Sequence, residues 1–140
     1  MNYEDVQKVS NAAKAKSNLV NTNFFKYFIR AVMAGFFIDV AMIYSNVVGN
    51  VFSKTMPEWG KFVGALVFSI AVLLISFVGG ELFTGNNMVM AMGVYTKTCK
   101  VSDMIKTWVI SYIGNFVGSF LYGREHPEQQ IILQDLSETS

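Results

Sequence analysis

Histidine, cysteine and charge are what this sequence has least of. Cys99 is the only cysteine among 140 residues, so no disulfide can close within the chain and a thiolate metal site lacks its other ligands. His126 is the only histidine. Flanked by Glu125 and Pro127 in a polar run, it reads as a solvated side chain rather than a ligand or base. Charged residues make up 15% of the chain, against ~25% in a soluble domain. They gather near the ends and in short connecting stretches. A formal net charge of +1 gives no bulk attraction to nucleic acid. The residues offer no nucleophile–base pair, no paired metal ligands and no phosphate loop, so no enzyme, cofactor or metal is expected. Residues 1–30 carry no cleavable leader pattern, because the apolar run begins late and is long enough to remain as an anchor.

What remains is apolar. Hydrophobic residues reach 52% and aromatics 14%, with a mean hydropathy of +0.37. The expected class is an all-α transmembrane protein. Residues 1–30 are polar and mixed in charge; 1–10 fit a frayed tail, and the later part, with Leu19, Val20, Phe24, Phe25 and Phe28, fits a cytoplasmic helix along the interface. A first span is expected over 31–52, with Ala31 and Gly35 on one face for close helix approach. Asp39 inside it must face protein or water, since a mid-membrane carboxylate costs roughly 2.5–3.5 kcal/mol on insertion scales. A loop over 53–61 follows, with Pro57 punctuating it and Trp59 suited to the membrane interface. A second span covers 62–94, a loop 95–106, and a third span 107–123, where Gly114 and Gly118 form a packing face around Asn115. Residues 124–140 are expected to be a polar tail. Lysine and arginine concentrate before the first span and between the second and third, which predicts a multi-pass plasma-membrane protein with its amino terminus cytoplasmic.

The second span is too long. Unbroken from residue 62 to 94, it would measure about 50 Å at ~1.5 Å per residue, in a hydrocarbon core only ~30 Å thick. The sequence supplies a break over 79–87: Gly79 and Gly80, each costing a helix roughly 1 kcal/mol, then Glu81, then Gly85, Asn86 and Asn87. Irregular backbone at membrane depth must be buried by protein or lined by water. Two readings follow, an interruption facing a permeation path or a glycine-rich kink serving helix packing. On the first, the arm resuming near Thr84–Asn87 aims unpaired amide donors and the positive helix end at mid-membrane, which suits a small monovalent anion. Thr84 adds a hydroxyl, while Leu82 and Phe83 form an apolar collar. Glu81 either turns away to accept backbone or asparagine donors, anchoring the loop with Gly79, Gly80, Gly85 and Asn86, or is kept protonated by burial. The first is favoured.

Gly80-Glu81-Leu82-Phe83-Thr84-Gly85-Asn86 resembles the omega-loop signature of the formate/nitrite transporter family, which includes formate, nitrite and hydrosulfide channels. The similarity extends to Ala34-Gly35-x-Phe37-Ile38, to Phe68-Ser69 and to Trp108-x-x-x-Tyr112-x-Gly114-Asn115-x-x-Gly118. It covers residues 5–122 in register and is nearest to the hydrosulfide branch. The resemblance implies a three-span repeat with a broken second helix, one half of an aquaporin-like inverted-repeat bundle assembled as a pentamer. It implies that Thr84 lies beside a central histidine of the second repeat, with Leu82 and Phe83 at the inner constriction. Phe68 and Val72 then match the outer constriction, Val72 standing where a leucine is expected. Two things depart from the pattern. Only the first repeat is recognisable, without the second broken helix, its histidine or the basic residue that attracts anions, and Asp39 falls at an uncharged position. The change at Gly123-Arg124 reads as a truncation, frameshift or alternative end. The expected function is a channel or transporter, or half of one, for small monovalent anions such as formate, nitrite or hydrosulfide. Its second repeat would come from a partner or another copy. The competing expectation is a truncated, non-conducting membrane fragment that associates with full-length relatives.

Overall fold

The computed structural model describes residues 3–125 and 127–138, apart from the side chains of Gln129, Gln130, Leu133 and Leu136. Six helices follow in order: α1 (Tyr3–Thr22), α2 (Phe24–Thr55), α3 (Pro57–Val78), α4 (Phe83–Tyr95), α5 (Val101–Glu125) and α6 (Pro127–Glu138). Among the described residues there is no strand. His126, expected to be a solvated side chain, lies outside them.

Several helices start earlier than the sequence suggested. Asn23 caps α2, its side-chain oxygen accepting from the Lys26 amide at 3.2 Å, which satisfies one of the orphan donors of a helix start. The first apolar helix therefore begins at Phe24, not near residue 31, and the aromatic run Phe24–Phe28 belongs to it. The expected loop over 53–61 shrinks to Met56 alone. Pro57 opens α3, where its missing N–H costs nothing and its fixed φ suits the first turn. The loop over 95–106 shortens in the same way, since α5 starts at Val101, and the expected polar tail contains α6.

Helices α2 and α3 are long and apolar enough to cross a membrane. By the same measure α5 is not. Its Ser111, Tyr112, Asn115, Ser119 and three glycines dilute its apolar residues.

Small residues set the spacing between helices. Along α2–α5, a Cβ added at Gly114 would sit 2.4 Å from the Ala31 Cβ, and one at Gly118 would sit 2.0 Å from the Val32 carbonyl oxygen. Backbones this close leave no room for a side chain, and the gain is dense van der Waals contact. The α2–α3 hairpin uses a second seam, in which Gly49 meets Gly60 and Gly64, and Ser45 Oγ donates to the Gly64 carbonyl at 2.6 Å. Helix α1 lies against α4 and α5. Ala13 is fully buried beside Gly93, and Val20, Tyr27 and Ile110 form a buried cluster. Ser10 pairs with Thr96 at 2.8 Å, while Ser17 and Asn21 donate to Asp103 at 2.8 and 3.0 Å.

Candidate functional site: a groove at the interrupted helix

Helix α3 stops at Val78 because Gly79 takes the left-handed conformation, φ 77°, open to glycine at little cost. The Gly79 amide reaches the Ser76 carbonyl at 3.1 Å and the Gly80 amide reaches that of Ile75 at 2.9 Å, the paired closure of a Schellman motif. Gly80 is needed for space, since a Cβ there would lie 2.7 Å from Ile75 Cγ2. The chain is then tied sideways by a bond from the Glu81 amide to the Arg30 carbonyl at 3.3 Å. Helix α4 resumes at Phe83. The non-helical stretch is thus 79–82 rather than 79–87, and Gly85, Asn86 and Asn87 belong to the first turns of α4.

Asn115 holds this turn in place. Its Nδ2 donates to the Ala31 carbonyl at 2.7 Å and the Glu81 carbonyl at 3.0 Å, and its Oδ1 accepts from the Phe83 amide at 3.0 Å. One side chain from α5 therefore links α2, the turn and the start of α4. Of the three amides at the α4 start with no intrahelical acceptor, Phe83 is satisfied in this way. The Thr84 and Gly85 amides meet no acceptor among the described residues.

Glu81 requires a correction. Asparagine and backbone donors were expected to hold its carboxylate, but it is paired with the Lys16 ammonium of α1. Only 7% of the Glu81 side chain is exposed, and a carboxylate that desolvated needs a counter-charge more than it needs neutral donors. Asn86 instead turns inward, its Nδ2 2.7 Å from both Tyr27 Oη and Ser111 Oγ. Those two hydroxyls are themselves 2.7 Å apart, which closes a fully buried polar triangle. No local pattern exposes Lys16 or Tyr27 as partners of this turn, because they lie 65 and 59 residues from the groups they meet.

Leu82, Phe83, Thr84, Phe68 and Val72 all line one groove of about 600 Å³, together with Ile38, Tyr112 and Asn115. The Phe83 ring meets Tyr112 edge-on at 5.6 Å. The walls are mostly apolar, and the Thr84 hydroxyl and the Asn115 amide are polar points within them. Gly85 is bordered by open space, while Gly114 and Gly118 lie behind the groove in the α2–α5 contact. A groove so lined can strip water from a small solute and offer it a hydroxyl, that of Thr84.

Residues 3–124 match the family model described as formate/nitrite transporter. An uncharacterized transporter, YwcJ, of Bacillus subtilis is 29% identical over 87% of this chain and 48% of its own length. The formate channel FocA of Haemophilus influenzae is 31% identical over 81% of this chain and 39% of its own. A solved structure of an FNT family ion channel superposes with a TM-score of 0.80 at 25% identity, covering 90% of this chain and 49% of that one. The chain spans about half the length, or less, of the relatives it matches. With nearly all of its helical bundle inside the match, the chain belongs to the formate/nitrite transporter family.

Proposed function

We propose that this chain is the first three-span repeat of a membrane passage for small monovalent anions such as formate, nitrite or hydrosulfide. It works as a transporter or channel and not as an enzyme. The observation that carries the reading is the groove at the interrupted helix, where Thr84 stands among the apolar side chains of Leu82, Phe83, Phe68 and Val72. In this reading α2, the α3–α4 pair and α5 are the three spans, and the positive residues put the amino terminus on the cytoplasmic side of the plasma membrane. Two names among the relatives support the anion class: formate channel for FocA and nitrite transporter for NirC of Salmonella typhimurium.

The groove is open on one side, and its natural cover is a second repeat from a partner or another copy; pentameric assembly follows the family resemblance. The half-length match favours a second reading, a non-conducting membrane fragment that associates with longer relatives. Anion flux into liposomes holding this chain, alone and mixed with a full-length relative, separates the two. Formate flux by the chain alone, lost in Thr84→Val, supports a passage. Absence of flux together with co-purification with the relative supports the fragment.

A further inference from the structure

The α2–α3 seam has a second side, away from the groove. It carries a furrow of about 380 Å³ between Phe37, Val40 and Tyr44 of α2 and Leu74, Ile75 and Val78 of α3, with no polar surface on its walls. At one end the furrow runs into a narrow cleft of about 20 Å³, which shares Phe37, Ile75 and Val78 and is bounded by Arg30. Phe37, Val40, Tyr44, Leu74 and Val78 are all exposed, so the furrow is open along its length.

Arg30, Met33, Phe37, Val40 and Tyr44 recur at three- and four-residue intervals, which puts them on one stripe of α2. Lys26 precedes Arg30 by one turn on the same stripe. Neither cation forms an ion pair among the described residues. Glu81, whose amide bonds the Arg30 carbonyl, gives its carboxylate to Lys16 instead. The stripe therefore has two unpaired positive charges at its foot and only apolar side chains above them. From Arg30 to Tyr44 it runs about 21 Å at ~1.5 Å per residue. Each half of a ~30 Å hydrocarbon core is ~15 Å deep, so an acyl chain fits along the stripe with its headgroup at the foot.

Helices α2 and α3 are the two that are long and apolar enough to cross a membrane. An unfilled furrow between them forfeits dispersion contacts along both walls. A phospholipid supplies both missing parts in one molecule, an apolar chain and a phosphate. We infer that the furrow seats an acyl chain of an anionic phospholipid, with the lipid phosphate held by Arg30 and Lys26. The guanidinium matches two phosphate oxygens with parallel N–H donors. Both cationic stems stay on the apolar stripe while their charged ends reach toward the interface. The second cation favours a headgroup of net negative charge over a zwitterionic one. Because the furrow lies across the seam from Phe68 and Val72, it holds lipid whether or not the groove conducts.

The test uses the full chain in nanodiscs of equal phosphatidylcholine and phosphatidylglycerol. Release into mild detergent and native mass spectrometry then count the lipids that stay bound. The expected result is enrichment of phosphatidylglycerol, falling by roughly threefold or more in Arg30→Gln, recovering in Arg30→Lys, and unchanged in Lys61→Gln at the far end of the hairpin. Val40→Trp and Leu74→Trp, each filling the furrow from one wall, should lower the number of bound lipids at unchanged helix content. Enrichment indifferent to Arg30→Gln overturns the headgroup site. Lipid retention indifferent to both tryptophan variants overturns the furrow as the acyl seat. If those variants instead break up a self-associated form while lipid retention holds, the furrow belongs to a second copy and the lipid site falls.

Discussion

The Lys16 ammonium of α1 and the Glu81 carboxylate of the α3–α4 turn form an ion pair across 65 residues of sequence. Both ends are largely withdrawn from solvent, so the pair is worth less than the cost of breaking it from one side. Lys16→Met is expected to destabilise the chain by about 3 kcal/mol, because it leaves a buried carboxylate without a counter-charge. Lys16→Met combined with Glu81→Gln should recover much of that loss. Thermal unfolding of the two variants and the unmodified chain in detergent checks this, and equal losses in the single and double variants would exclude a coupled pair.

Asn115 contributes three hydrogen bonds, two donated and one accepted. At ~0.5–1.5 kcal/mol net for each bond, Asn115→Leu should cost about 3 kcal/mol. Global stability is only part of the readout. The Phe83 amide loses its acceptor, so its hydrogen exchange should accelerate relative to amides in the middle of α5. Unchanged Phe83 protection in Asn115→Leu would mean that another group holds the start of α4.

The parts of this architecture that can be read from sequence are those whose cause is local. Gly79 and Gly80 mark the stop of α3 because a left-handed closure and a crowded neighbour both require residues without Cβ. Gly85, Asn86 and Asn87 look like more of the same turn by composition, yet they are helical. Asn86 spends its amide on Tyr27 and Ser111, contacts that only the folded bundle supplies. Pro57 suggests a loop, although the same fixed φ serves a helix start equally well. Asn23 was hidden for a different reason, since a single capping residue sits between apolar side chains, Leu19 and Val20 before it and Phe24 and Phe25 after it, that read as one stretch. The five groove positions came from a motif, Leu82-Phe83-Thr84, and from similarity around Phe68 and Val72.

Glycines that look alike in sequence should behave differently on substitution. A Cβ at Gly118 would meet the Val32 carbonyl at 2.0 Å, whereas one at Gly85 meets nothing within 4 Å. Backbone cannot step aside as a side-chain tip does, so Gly118→Ala should cost about 3 kcal/mol. Gly85→Ala should leave the stability of this chain unchanged or slightly raised, through better helix propensity. Unfolding midpoints of the two variants in one detergent compare them directly. Similar losses would mean that the α2–α5 seam is looser than its geometry.

Asp103 gives the fold an acid-sensitive staple. Hydrogen bonds from Asn21 and Ser17 hold its carboxyl below the ordinary aspartate value, fixing the start of α5 to α1. Because the folded-state pKa is depressed, the stabilisation is complete above the unfolded value of about 3.9 and is lost as pH falls through the lower folded value. Unfolding temperatures measured from pH 6 down to pH 3 should therefore fall, and Asp103→Asn should show a lower midpoint at pH 6 with a shallower decline below pH 4. A variant whose decline parallels that of the unmodified chain would assign the acid sensitivity to another carboxylate.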